Sequence, residues 1–252
     1  MIMRHRAGCV FFLSVSLFTS SLAQSKKESA FIFDTTASSQ LSDTLCAWDY
    51  SPDDSSFINL QYFLPAVFRD ESALKRYIRD PRFLQLRAEC GDTMAVDLIF
   101  EHAMDIADGT VSHALLIAAL ATFDHFRLGV KIPLLGTLYI PLTIVETEQG
   151  YSQRFSHLPR HVLPDSIGQR KRDRDKLQHF FGSAYLTYIF DSKSIARAIG
   201  DFIEWGEPRF IVGGDYDDSD KFANRLGQEF GKRLLDGEDV LPSDVLWKKE
   251  RK

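Results

Sequence analysis

Three segments between residues 172 and 231 set ionisable side chains into otherwise apolar or small-residue runs. In DKLQHFFGSAYL, Asp175, His179, Gly182 and Leu186 recur at steps of three and four, which places them near one face of a helix. Asp201 and Glu204 stand one turn apart in GDFIEWGE, and Asp220, Asn224, Gly227 and Gly231 share a face in DKFANRLGQEFG. If the three faces meet, two chemistries are on offer. A carboxylate beside an imidazole fixes its tautomer and raises its basicity, so His179 could act as general base with Asp175 or Glu204 orienting it. Alternatively, His179, Glu204 and Asp220 supply the N and O ligands of a divalent metal ion. A capping or salt-bridging Asp and a hydrogen-bonded core His read the same residues as structural.

Positioning these faces asks for a mainly α chain. Asp70-Glu71-Ser72 ahead of ALKRYIRD marks a helix start that Pro81 stops, and RFLQLRAEC is a second short helix. Asp92 is placed to cap TMAVDLIFEHAMDIA, which Gly109 ends, and Thr110 to cap VSHALLIAALATFDHF. That last run is apolar almost all round, which predicts a helix buried in protein. His113, Asp124 and His125 interrupt it too soon for a membrane span. His102, Asp105 and His113 lie around the turn between these two helices and could approach one another. In KIPLLGTLYIPLTIVE the period changes: Leu138, Ile140, Leu142 and Ile144 alternate with their neighbours, and Gly136-Thr137 can turn the chain. A short hairpin or extended ribbon near 130–146 follows, confined to edges by Pro133 and Pro141; a lipid-touching loop is the competing reading.

SHLPRHVLPDSIGQRKRDR reads as a charged connector, with His157 and His161 flanking Pro159. Its basic run, Arg170, Lys171, Arg172, Arg174 and Lys176, is either a solvated face or a receiver of phosphate. Asp215, Asp217 and Ser219 occupy alternate places like the start of a calcium loop, but Asp220 stands where that loop needs Gly and Leu226 where it needs Glu. Asp217 to Ser219 therefore read as a helix start. The expected fold class is mainly α, a bundle-like helical domain with one small β element.

Arg4, His5 and Arg6, the apolar run AGCVFFLSVSLF and Ser21-Leu22-Ala23 make a secretory signal over residues 1–23, with a mature start at Gln24. Residues 24–54, rich in Ser, Thr and Asp, read as a loosely held arm, and 55–252 as a single domain with its motif core at 172–235. Export makes Cys46 and Cys90 a disulfide candidate, with two buried thiols as the alternative. A net charge of −5 argues against general nucleic-acid binding, which wants a basic face.

DKLQHF, the acidic Glu204 and the run D-x-x-x-N-x-x-G-x-x-x-G at Asp220, Asn224, Gly227 and Gly231 together resemble the pattern of VanZ-like proteins and of YfiM-type envelope proteins. The resemblance covers Asp175 to Gly231 and singles out Asp175, Lys176, His179, Glu204, Asp220, Asn224 and Gly227. It implies a helical core around a polar cluster, in families with no settled activity. Two features depart from it. VanZ-like proteins span the membrane several times, whereas Arg197, Asp201 and the acidic loop interrupt the apolar segments here, and a lipobox is missing.

Two functions of different class follow. In the first, this is an exported protein, periplasmic or envelope-associated, that binds or supports envelope or membrane-surface components. Its Asp/His/Glu/Asn cluster then locks helix packing, and Gly182, Gly227 and Gly231 allow close approach. In the second it is a His-dependent or metal-assisted hydrolase of a phosphate- or lipid-bearing substrate. Asp175, His179 and Glu204 would then be catalytic, with Arg172, Arg174, Lys176, Asp220 and Asn224 on the binding side. Geometry separates the two: an open pocket at His179, Glu204 and Asp220 favours the hydrolase, a closed hydrogen-bonded cluster the scaffold.

Overall fold

The computed structural model describes residues 65–132, 136–141, 146–164, 173–210 and 218–246. The expected leader and arm, with Cys46, and also Arg172 and the acidic loop at 215–217, lie outside the described residues. The chain is mainly α. In order come α1 (Ala66–Arg79), α2 (Pro81–Cys90), α3 (Asp92–Ile106), α4 (Val111–Ala121), β1 (Arg127–Ile132), β2 (Gly136–Pro141), α5 (Glu148–His157), α6 (Lys176–Phe190), α7 (Lys193–Phe210), α8 (Asp218–Leu235) and the short α9 (Ser243–Leu246).

Helix α1 begins four residues before the expected Asp70, and Glu71 and Ser72 are buried inside it rather than capping it. The next start follows the usual logic: Pro81 opens α2 and the Asp80 carboxylate accepts from the Arg82 amide at 2.8 Å. Cys90, which ends α2, is disulfide-bonded, and its partner lies outside the described residues. Asp92 does not cap α3. Gly91 takes the N-cap place, and the Asp92 carboxylate instead accepts from the amides of Arg160 and His161 at 3.0 and 2.8 Å. Thr110 sits at the N-cap of α4 without a side-chain cap bond.

Helix α4 is buried on nearly every side, as its composition predicts, but it stops at Ala121 instead of running to Phe126. Thr122 ends it by turning its hydroxyl back onto the carbonyls of Ala118 and Ala119, at 2.8 and 3.1 Å. Around α4 lie α1, α3 and α6, and among the described helices α8 packs most extensively along α6. Phe230 of α8 fills the space between, 5.1 Å from Phe100 edge-on and 5.3 Å from Phe180 in a stacked arrangement.

The hairpin is present, with a different turn. β1 and β2 pair antiparallel from Arg127 with Pro141 to Ile132 with Gly136, so Gly136 and Thr137 are strand residues and the connection is 133–135. Leu138 and Tyr139 stand 51% and 62% exposed on it. Ahead of the stretch expected as a connector, and reaching two residues into it, is a helix, α5, whose N-cap Thr147 accepts from the Gly150 amide at 3.1 Å.

What holds α5 is a buried charge. Arg154 is 1% exposed. Its guanidinium grips Glu146 through Nε and Nη2, at 3.0 and 2.9 Å, and donates from Nη1 to the carbonyls of Ala121 and Phe123, both at 2.9 Å. The first is an orphan carbonyl of the last turn of α4, and the second lies just past its C-cap. Lys75 of α1 joins the group, 2.5 Å from Glu71 and 3.8 Å from Glu146. Burial would raise the Glu146 carboxyl, but Arg154, Lys75 and Arg79 overcome it and hold it below its ordinary value. Burial also pushes the Lys75 ammonium down, against the pull of Glu71.

A second buried carboxyl ties α3 to α9. Asp97, 3% exposed, accepts from the Ser243 amide at 2.8 Å. Burial pushes its carboxyl up from 3.8 to about 7, against that hydrogen bond. On α3, burial pulls the His102 imidazole the other way, from 6.5 down to about 4. Between pH 4 and 7 the folded chain therefore keeps a proton on Asp97 that the unfolded chain has released, and stability from this group falls as pH rises. His102 has the opposite sign: its contribution is complete above pH 6.5 and lost as pH falls toward 4. The two slopes oppose each other in the unmodified protein. Asp97→Asn is expected to remove the first, gaining on the parent by about 1–3 kcal/mol between pH 4 and 7. Urea unfolding at a series of pH values checks this; parallel curves would show that Asp97 does not titrate in that window.

Candidate functional site

The motif residues meet where α6 lies against α8. Their approach is set by backbone: a Cβ on Gly227 would fall 2.1 Å from the Phe180 carbonyl oxygen, and one on Gly231 2.3 Å from that of Ala184. No side chain fits at either place, so the glycines one turn apart on α8 bring the two helices to backbone contact. Gly227→Ala is expected to cost about 1–3 kcal/mol by forcing the helices apart. Thermal unfolding reads this, and an unchanged midpoint would contradict the close approach.

At the N-terminal end of this seam Lys176 is 1% exposed. Its Nζ donates to Asp175 at 2.6 Å and to Asp220, a residue of the first turn of α8. Burial alone would lower this ammonium; the charges of Asp175 and Asp220 outweigh it and hold the group above its ordinary value. His179, also buried, places Nε2 at 3.6 Å from Asp220. One turn further, the Ser183 hydroxyl donates to Asn224 Oδ1 at 2.8 Å.

Asp175, Lys176, His179, Asp220 and Asn224 are thus brought together, and the centre of the group is a lysine rather than the histidine. The acidic partner of His179 comes from α8, while Asp175 holds Lys176. Glu204 lies on α7, with its side chain outside the described residues. Arg174 is buried: its guanidinium stacks 4.8 Å from the Phe155 ring and donates to the Ser156 carbonyl at 3.3 Å. Asp173, which the spacing did not single out, accepts from the amides of Val162 and Leu163, both at 3.1 Å, and fixes the approach to α6.

A metal ion fits this centre poorly. The ammonium of Lys176 already stands between the two carboxylates, where a divalent cation would have to sit and would meet a positive charge. Among the described residues no three His, Cys, Asp or Glu are placed to hold a metal ion.

The other histidines go separate ways. His113 Nε2 contacts Asp70 at 2.7 Å, while His102 stacks on Tyr77 at 4.1 Å, so the expected approach of His102, Asp105 and His113 gives way to partners on α1. His157 Nδ1 lies 2.9 Å from the Ile78 carbonyl. One imidazole–carboxylate pair was not offered by the spacing: His125 Nδ1 pairs with its neighbour Asp124, whose carbonyl takes the Tyr151 hydroxyl. His125 Nε2 is buried and meets no hydrogen-bond partner among the described residues.

No helix among the described residues is long and apolar enough to cross a membrane. Neither the family models, nor the curated proteins, nor the solved structures include a match to this chain.

Proposed function

We propose that this is an exported cell-envelope protein of binding or structural type, whose α6–α8 cluster locks the helices that carry its surfaces. The observation that supports this most is the closure of the cluster: Lys176 is 1% exposed and is held by two carboxylates. A general base needs access to substrate, and His179 is buried beside that ion pair. The resemblance to VanZ-like and YfiM-type proteins agrees with a helical core around a polar cluster. Export agrees with a disulfide at Cys90, for which Cys46 is the partner we assign.

Diethyl pyrocarbonate labelling of the folded protein, mapped by mass spectrometry, tests the closed site. His179 stays unlabelled under conditions that label it fully in urea. Native-state labelling of His179 at the unfolded rate would instead favour the hydrolase. Edman sequencing of the exported protein, starting at Gln24, tests the leader; a retained Met1 in the cytoplasmic fraction would overturn export.

A further inference from the structure

Between α7 and α8 lies a cleft of about 220 Å³, lined among the described residues by Arg197, Gly200, Asp201, Lys221, Arg225 and Gln228, with Asn224 shared with the α6–α8 seam. Among the described residues the lining carries Arg197, Lys221 and Arg225 beside Asp201. The spacing is helical on both walls. Arg197 and Asp201 stand four residues apart on α7, as do Lys221 and Arg225 on α8, so each wall presents its charges one turn above the other.

The floor is built for an acceptor. Asn224 is nine-tenths buried, and its Oδ1 is occupied by the Ser183 hydroxyl. That fixes the carboxamide with Nδ2 as the outward donor, 3.5 Å from where a Cβ on Gly200 would lie. The bare Gly200 leaves this donor uncovered on the α7 side. Gln228, one turn on, adds a second carboxamide to the lining. Arg225 is braced from behind by the Phe222 ring, 5.5 Å from its guanidinium carbon.

We infer that this cleft binds a small phosphate-bearing ligand, a phosphomonoester either free or as a lipid headgroup. Guanidinium groups match phosphate oxygens with paired donors, and a lysine adds a point charge. The size suits the class: pockets for drug-sized molecules run to roughly 300–1,000 Å³, and about 220 Å³ accommodates a headgroup. Asp201 sets the specificity: it repels part of the anion's charge and accepts from a hydroxyl beside the phosphate, as in a glycerol phosphate.

The test uses the full mature protein with glycerol 3-phosphate by calorimetry, and vesicles of phosphatidylcholine with and without phosphatidic acid by co-sedimentation. Saturable binding of glycerol 3-phosphate identifies the free ester, and co-sedimentation only with phosphatidic acid identifies the headgroup; either supports the site. Arg197, Asp201 and Arg225 are exposed, so their variants fold. Arg197→Gln with Arg225→Gln weakens binding at least about tenfold, the loss expected for charge-assisted hydrogen bonds, with an unchanged unfolding midpoint. Asp201→Asn tightens binding of inorganic phosphate severalfold, and raising salt weakens it. Failure of both probes to bind, or equal binding by the double Gln variant, overturns the inference. Neither outcome bears on the closed lysine cluster, which is read by stability and labelling.

Discussion

Lys176→Met is expected to lower folding stability by about 3–5 kcal/mol, the usual cost of removing one partner from a buried ion pair. Met keeps the length and apolar character of the stem, so what is lost is the charge. Asp175 and Asp220 are then left at the α6–α8 seam without the ammonium that joins them. The pH dependence carries the same information. Because the folded value of Lys176 lies above its unfolded one, its contribution is complete below the unfolded lysine value and is lost only as pH rises through the folded one. Stability of the unmodified protein should therefore not decline on account of this lysine anywhere in the neutral range. Equilibrium unfolding in urea, followed by circular dichroism, measures the difference. A loss under about 0.5 kcal/mol, the scatter of ordinary surface substitutions, would mean that the carboxylates do not depend on Lys176.

Arg154→Met should be of comparable size, about 3–5 kcal/mol, for a related reason. The change strands Glu146, a buried carboxylate, and at the same time frees the carbonyls of Ala121 and Phe123 at the end of α4. Unmade hydrogen bonds to buried groups cost about 1–3 kcal/mol each, and Lys75 at 3.8 Å and Arg79 at 3.6 Å from Glu146 recover part of that loss. The damage begins locally, where α5 is pinned to α4. Limited proteolysis should therefore cut between α4 and α5 in this variant well before the α6–α8 pair opens. Resistance equal to that of the parent, with an unchanged unfolding midpoint, would show that α5 is held by its apolar contacts instead.

The sequence made α6 and α8 legible because each writes its packing face at the helical period in small and polar residues. Asp220, Asn224, Gly227 and Gly231 stand on the seam side of α8, and Asp175 and His179 were placed at the right end of α6. The partnerships were not legible. The i, i+4 spacing pairs Asp175 with His179, but an ammonium one residue further along competes for the same carboxylate, and the second carboxylate arrives from 44 residues away. Sequence spacing carries no information about that approach; the glycines that permit it do. Helix α5 was missed because EQGYSQRFSH has almost no apolar stripe, and its inward face is anchored by Arg154. A charged residue that is 1% exposed reads in sequence like any solvated arginine. The hairpin was found from alternation, and its turn was misplaced because a glycine at a positive φ, here Gly136 at 90°, marks a strand start as readily as a turn centre.

The central claim is that the Lys176–Asp220 contact is a structural lock between α6 and α8. A double-mutant cycle with Lys176→Met and Asp220→Leu, read by urea unfolding, tests it most directly. The account predicts two destabilised single variants and a double variant that recovers about 1–3 kcal/mol relative to their sum, because it leaves one unmatched carboxylate, Asp175, where Lys176→Met alone leaves two. Strictly additive losses would contradict it.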